Sequence, residues 1–327
     1  MENRFFSYEY KAFSILREIS IIAVIAFIMK KSIKEDLTYE TVINCLKEKL
    51  PSLPQILEEL VTKLSDPNSN LDHIEELVEI DQAITAQMLK VSNKLEFLDP
   101  GEPRIVTIHD ALHKIGFENA KKIALNVSVL KLMKITKFPR DFCCEHLWQH
   151  SLGVAIGCSV ISELVGYENP DQAYTCGLVH DIGKLAKVSF GYRSFAKEIA
   201  SASRKNIDLH DLEIKRNLLR HDQLGFLMMN FWDMPKDLGL VVKWHHEEER
   251  SNRSDIDSSE LNQLIDIVYF SNLIINKLGI GYSGHSISKS PSDKFLRSFG
   301  LTSESMEELE TEIQEKYDQN CPMLLIL

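Results

Sequence analysis

The chain predicts an all-α protein arranged as two packed helical subdomains, and three features of its 327 residues carry that prediction. Apolar residues recur at helical rather than alternating spacing, as at Ile56, Leu57, Leu60, Val61 and Leu64, which puts them on one buried face. Ser, Thr, Asp or Asn stands just ahead of several such runs, where a side-chain oxygen can cap the first free N–H groups. No strand-rich block competes, since Val106-Thr107-Ile108 is too brief to build a sheet.

Taken in order, Leu50-Pro51-Ser52-Leu53-Pro54-Gln55 opens a helix carrying Ile56 to Leu64, and Pro67 in Ser65-Asp66-Pro67-Asn68 ends it by disfavouring helical geometry at Asp66. Asp72, with Glu75 three residues on, reads as the cap of the next helix. Asp81 caps the one after, turning Ile84, Met88 and Leu89 inward. A loop at Pro100-Gly101-Glu102-Pro103 leads to a helix capped by Thr107 and stopped by Gly116. Ala120 to Met133 reads as a long buried helix, and Lys137-Phe138-Pro139-Arg140 as the link between subdomains.

Beyond the link, helices are expected over Glu145 to Leu164, from Asn169-Pro170 to His180, over Leu209 to Trp232 as one element, and from Pro235 to His245-His246. Asn262 to Leu278 follows, with Gly279 and Gly281 ending it. Ser283 to Ser292 is polar and turn-rich and reads as mobile. Thr302-Ser303-Glu304 then caps a closing helix through Tyr317, and Met323 to Leu327 is an apolar end suited to docking on the core. The expected division is therefore an extension over 1–45, helical subdomains over 46–137 and 138–290, and a helical tail over 291–327.

A hydrophobic content of 44% with 26% charged residues is that of a soluble globular chain long enough to bury a large core. The formal net charge of -11 argues against duplex nucleic acid as a partner, because nonspecific binding works by neutralising phosphates. Lys121-Lys122 with Lys131 and Lys134 is the best local basic patch, and a solvated helix face is its simpler explanation. None of the 6 cysteines forms a CxxC pair; Cys158 and Cys176 read as small buried hydrophobes, and Cys143-Cys144 as a helix start. The apolar run Ile19 to Met29 is too short to span a bilayer, and extending it backward meets Arg17 and Glu18. A cytoplasmic protein is expected, with weak membrane association through residues 13–31 as the lesser alternative.

The chemistry concentrates in Gly177-Leu178-Val179-His180-Asp181-Ile182-Gly183-Lys184. His180 and Asp181 offer a nitrogen and a carboxylate oxygen, a mixed donor set suited to a divalent transition metal. Lys184, one turn on, is placed to meet an anion held by such a metal. His150 precedes this pair in an apolar run, and His221 and the doublet His245-His246 follow it. His73, His109, His113, His146, His210 and His285 read as structural or surface residues.

The order His150, His180-Asp181, His221, His245-His246 resembles the HD superfamily of metal-dependent phosphohydrolases. With Leu50-Pro51-Ser52-Leu53-Pro54, Glu79-Ile80-Asp81-Gln82-Ala83, Leu89-Lys90-Val91-Ser92-Asn93 and Thr107-Ile108-His109-Asp110-Ala111-Leu112, the chain more narrowly resembles the HDOD (HD-related output domain) family from Leu50 to about His246. That resemblance implies an HD-like multi-helix bundle and a bacterial signalling or regulatory module. It implies His150, His180, Asp181, His221, His245 and His246 as metal ligands, for Fe, Mn, Zn, Ni or Mg, with no organic cofactor. The place of the superfamily's closing Asp falls at Asn272, whose amide offers a carbonyl oxygen without charge. Asp266 is well off the helical phase of that position.

Two functions follow as expectations. One is a regulatory protein acting through contacts with a signalling partner, with a vestigial or altered metal site and room for a nucleotide ligand. The other is a phosphohydrolase acting on a nucleotide or other phosphoester, with Asp181 and Lys184 as catalytic residues and a metal-bound water as nucleophile. The doublet followed by Glu247-Glu248-Glu249 is similar to the HD-GYP branch. Arg250-Ser251-Asn252-Arg253 stands where Gly-Tyr-Pro is expected, which argues against cyclic di-GMP as substrate. The sequence leaves open whether these side chains hold metal or hydrogen-bond within a helical core.

Overall fold

A computed structural model describes residues 55–324 except 64–69, 80, 95–96, 98–100, 135, 286 and 288. Among the described residues there are helices and no strands, as the periodicity predicts. The elements are α1 (Gln55–Lys63), α2 (Leu71–Glu79), α3 (Gln82–Ser92), α4 (Ile108–Ile115), α5 (Phe117–Lys134), α6 (Cys144–Leu164) and α7 (Pro170–Val179). They continue with α8 (Gly183–Lys205), α9 (Leu209–Lys215), α10 (His221–Phe231), α11 (Lys236–Trp244), α12 (Ser259–Leu278), α13 (Asp293–Ser298) and α14 (Ser303–Leu324). No helix among them is long and apolar enough to cross a membrane, and residues 13–31 lie outside the described residues.

The expected caps at Asp81 and Thr107 are present, each side chain accepting N–H groups of the first turn, and Asn169, at the expected start of α7, caps it in the same way. Asp72 is not a cap: α2 starts one residue before it, and Asn70 Oδ1 accepts the His73 N–H at 3.3 Å. Cys143 caps α6 through its sulfur, in keeping with a helix-start pair. Burial pushes the thiols of Cys158 and Cys176 up, as for inert core groups. The closing helix runs past Tyr317 to Leu324, with Thr302 Oγ1 accepting the Ser305 N–H at its start.

The helix expected over Leu209 to Trp232 is two helices. Asn217 adopts a left-handed φ of 51°, a conformation Asn tolerates better than most residues, and the chain turns there before restarting at His221. α5 is the spine of the molecule: it packs against α1 to α4 on one side and α6 and α7 on the other. Its side chains are buried nearly all round, from Ala120 to Met133, so it carries no polar stripe. Asn126 Nδ2 donates to Tyr174 Oη at 2.9 Å, tying α5 to α7 inside one apolar core that runs from Leu57 to Tyr317. α12 lies across α6 and α7, α10 lies between α8 and α11, and α14 closes on α6 and α12.

Candidate metal centre

Close helix packing brings the histidines together. A Cβ on Gly177 of α7 would lie 2.9 Å from the Ala155 Cα of α6, so only glycine lets these helices approach and sets His180 beside His150. A Cβ on Gly183 would lie 1.8 Å from the His221 carbonyl oxygen. That contact presses the start of α8 onto the start of α10 and explains the glycine two residues after Asp181.

The result is a set of buried rings around one carboxylate. Asp181 Oδ2 has His180 Nε2 at 3.3 Å and His150 Nε2 at 3.8 Å. Oδ1 has His221 Nε2 at 3.4 Å and His245 Nε2 at 3.7 Å. His246 Nε2 lies 2.9 Å from His221 Nε2. Atoms able to ligate a metal fall into two groups that share Asp181: His150 and His180 on one side, and His221, His245 and His246 on the other. Asn272 is buried, but its Oδ1 accepts from Asn276 Nδ2 at 3.0 Å along its own helix. Asp266, off phase as expected, pairs with Arg250 and Arg253.

The ring orientations are fixed from behind. His180 Nδ1 donates to the Gly177 carbonyl and His245 Nδ1 to the Val242 carbonyl, each at 2.7 Å, which fixes each ring with its Nε2 turned toward Asp181. His221 Nδ1 lies 2.8 Å from Glu213 Oε2, which also accepts the His221 backbone N–H at 3.2 Å and so caps α10. Lys187 binds the other Glu213 oxygen, along with Glu198 Oε2 at 2.5 Å and the Leu219 carbonyl at 2.7 Å.

Charge follows from these contacts. Burial holds the pKa values of His150, His245 and His246 well below the usual imidazole range, with neighbouring histidines adding to it. His221 goes the other way: burial lowers it, but the Glu213 and Asp181 carboxylates together outweigh burial and push it up to about 9. Burial works to raise the Asp181 carboxyl, and Lys184 and His180 more than offset this and hold it well below the carboxylate range.

Lys184 is fully buried, and its Nζ lies 2.5 Å from Asp181 Oδ2. His285, read from sequence as peripheral, reaches Lys184 Nζ at 3.5 Å through Nε2 and Asp208 Oδ2 at 2.6 Å through Nδ1. The segment carrying it is seated rather than free there, with the Tyr282 N–H donating to the His146 carbonyl at 2.9 Å. His210 also belongs to the neighbourhood, stacked on His246 with ring centroids 4.2 Å apart and its Nε2 3.3 Å from Asp222 Oδ2. Sequence reasoning missed Glu213, Asp208, His210 and His285, since none sits in a local pattern that marks it.

The helical fold of the described residues has clear counterparts among known proteins. The chain belongs to the HDOD domain family, whose model matches residues 50–248, as the motifs from Leu50 to about His246 predict. It is 23% identical over 234 residues to a protein of Treponema pallidum (strain Nichols); the match covers 70% of this chain and 42% of that one, so the chain spans less than half the length of that relative. Among solved structures it is similar to an HDOD domain protein from Geobacter sulfurreducens, with a TM-score of 0.70 and 22% identity over 89% of this chain and 100% of that one. A candidate signal transduction protein from Marinobacter aquaeolei VT8 also gives a TM-score of 0.70, at 18% identity over 93% of this chain and 66% of that one. A candidate phosphohydrolase from Shewanella amazonensis SB2B gives 0.63, at 20% identity over 88% and 97%. At such identities the likeness is one of fold.

Proposed function

We propose that this chain is a regulatory HDOD module whose buried centre holds a divalent transition metal, and that it acts through protein contacts rather than by turning over a phosphoester. The observation that carries the metal is a set of unmet groups. Nε2 of His150, His180 and His245 and Oδ1 of Asp181 are buried with no hydrogen-bond partner among the described residues. Leaving a buried polar atom unpaired costs roughly 1–3 kcal/mol, so several gathered around one buried carboxylate fit a cation better than a dry core. Nitrogen donors with one carboxylate suit Zn, Fe, Mn or Ni. Carbonyl-oriented rings are what such a site needs behind its ligands.

Closure argues for regulation. A catalytic metal keeps a position open to substrate. Here His150 is 1% exposed and His180, His221 and His245 are 0% exposed, while the Lys184 ammonium is taken up by Asp181. When bound, such an ion supplies a Lewis acid and a water of lowered pKa. In this chain the ligands would join the ends of α7 and α11 to α6 and α10, so occupancy would set how firmly these helices are held.

The test is the metal content of untagged protein beside a His180→Ala/Asp181→Ala variant, with turnover of bis(p-nitrophenyl) phosphate measured on both. Near-stoichiometric metal that is absent from the variant, with no turnover by either, is the expected result. Metal-free wild type would overturn the metal assignment. Turnover lost in the variant would overturn the regulatory reading in favour of hydrolysis.

A further inference from the structure

A sealed centre has to open before an ion can reach it. The rings of His180, His221 and His245 are 0% exposed, and in the two groups that share Asp181 only His246 meets solvent in part. Most of the chain round the centre carries the atoms able to ligate or the groups behind them, such as the Gly177 and Val242 carbonyls and Glu213. Those parts cannot move and leave the site intact. The crossing from α12 to α13 is different. It sets His285 against the centre, with Nε2 3.5 Å from Lys184 Nζ and the ring centroid 5.4 Å from that of His246, yet it supplies no atom to either group. We propose that Gly281 to His285 is the gate of the centre, a stretch that lifts to let a divalent ion pass and is latched at the surface by Lys289. This inference rests on the metal-binding reading above.

The packing of the crossing suits a part that lifts. Ser283, Gly284 and His285 are buried in succession, so its innermost stretch seats no large apolar side chain and lifting it forfeits little hydrophobic burial. Its fastening is polar instead. The Tyr282 N–H donates to the His146 carbonyl at 2.9 Å, and His285 Nδ1 lies 2.6 Å from Asp208 Oδ2. Lys289 Nζ reaches Asp208 Oδ1 at 3.6 Å and Asp211 Oδ1 at 2.7 Å, so one ammonium joins the carboxylate behind His285 to a carboxylate that is 50% exposed.

Two glycines let the stretch lie close when shut. Gly281 has a φ of 66° and Gly284 a φ of 97°, backbone that other residues adopt only with strain. A Cβ on Gly281 would lie 2.3 Å from the His146 carbonyl oxygen, and one on Gly284 2.7 Å from Ile199 Cδ1. Ile280, just ahead of them and 7% exposed, stays anchored in the core and marks where the lift begins.

The experiment compares wild type with Lys289→Ala and Asp211→Asn, neither of which belongs to the groups that share Asp181. Lys114→Ala, on α4 and paired with Glu102 at 2.9 Å, is the control. Metal-free protein is mixed with Co2+ to follow loading by absorbance and then chased with EDTA to follow release. Amide hydrogen exchange over residues 280–285 is recorded without metal. A cover contributes equally to the empty and the loaded protein, so weakening its latch should speed loading and release by one factor and leave affinity unchanged. Loss of a partly exposed ion pair sets that factor at about three to five for Lys289→Ala, and the Tyr282 amide should exchange faster by the same factor. Lys114→Ala should match wild type throughout. Unchanged rates in the folded variants overturn the gate. So does a changed affinity, or exchange that rises equally along α6 and α12, which marks general loosening. Asp211→Asn covers the case in which Lys289→Ala does not fold, judged by circular dichroism. Wild type that takes up no Co2+ and carries no metal as purified overturns the metal-binding reading and the gate together, whereas the other failures leave that reading standing.

Discussion

Replacing Arg253 by Met tests how the histidine doublet is held in place. The Arg253 side chain is 0% exposed, and its Nη2 lies 2.7 Å from Asp266 Oδ1. Nη2 also donates to the Glu247 carbonyl at 2.5 Å, and Nη1 to the Asn262 carbonyl at 3.2 Å and its Oδ1 at 3.1 Å. Glu247 directly follows His246, so one guanidinium ties the exit of the doublet to α12. Methionine keeps much of the volume and removes every donor. Stripping one partner from a buried ion pair costs about 3–5 kcal/mol. The lower end applies, because Arg250 still reaches Asp266 Oδ2 at 2.5 Å, although its side chain is 50% exposed and its pull is screened. About 3 kcal/mol at roughly 2–4 °C per kcal/mol gives a Tm lower by about 6–12 °C. Thermal melts of metal-free wild type, Arg253→Met, Asp266→Asn and the double variant would measure it. The two losses should overlap in the double variant by at least about 1 kcal/mol, as for residues in one network. A single-variant Tm within about 2 °C of wild type, or strictly additive losses, would refute the clamp.

Other outcomes follow from the same contacts. Gly183→Ala puts a Cβ 1.8 Å from the His221 carbonyl oxygen and should cost about 3 kcal/mol or more and lower metal content; Gly239→Ala, whose nearest neighbour would lie at 3.4 Å, should melt close to wild type. Asp81→Ala loses the cap on Ala83 and Ile84 and should cost about 1 kcal/mol by urea denaturation at pH 7. Burial works to raise the Asp81 carboxyl, but Lys131 and the capped N–H groups outweigh it and hold it below its ordinary value; its stabilisation is therefore present above about pH 4, and the gap to the variant should narrow in more acid solution. Glu118 is pushed up to about 7, first by its hydrogen bond to Asp171 and then by burial, so the folded state favours its proton and stability is lost as pH rises through 7. Glu118→Gln should raise Tm by about 1–2 °C at pH 8 and leave it unchanged at pH 5.

What could be read in advance was whatever is written locally. Asp81 and Thr107 act within three residues of themselves, so their capping roles were visible in the sequence. The histidines gathered round Asp181 were legible through their order along the chain. Glu213 was not: it acts across the break between α9 and α10, and its place under His221 depends on that turn. The break had a faint signal in Asn217, but no Gly or Pro marks it, and the apolar spacing runs straight through. His285 meets Lys184 from 101 residues away, a contact that only the packed fold creates. A polar, turn-rich stretch looks the same whether it is solvated or seated on a buried charge.

Two of the histidines carry their own aiming device. His180 and His245 each occupy the position just past a helix, and each ties Nδ1 to the carbonyl three residues back in its own last turn. Neither needs a distant residue to set its tautomer. The backbone turn that ends α7 or α11 therefore also decides which ring nitrogen faces Asp181. A substitution that unwinds either last turn would thus release a ring as well as a helix end.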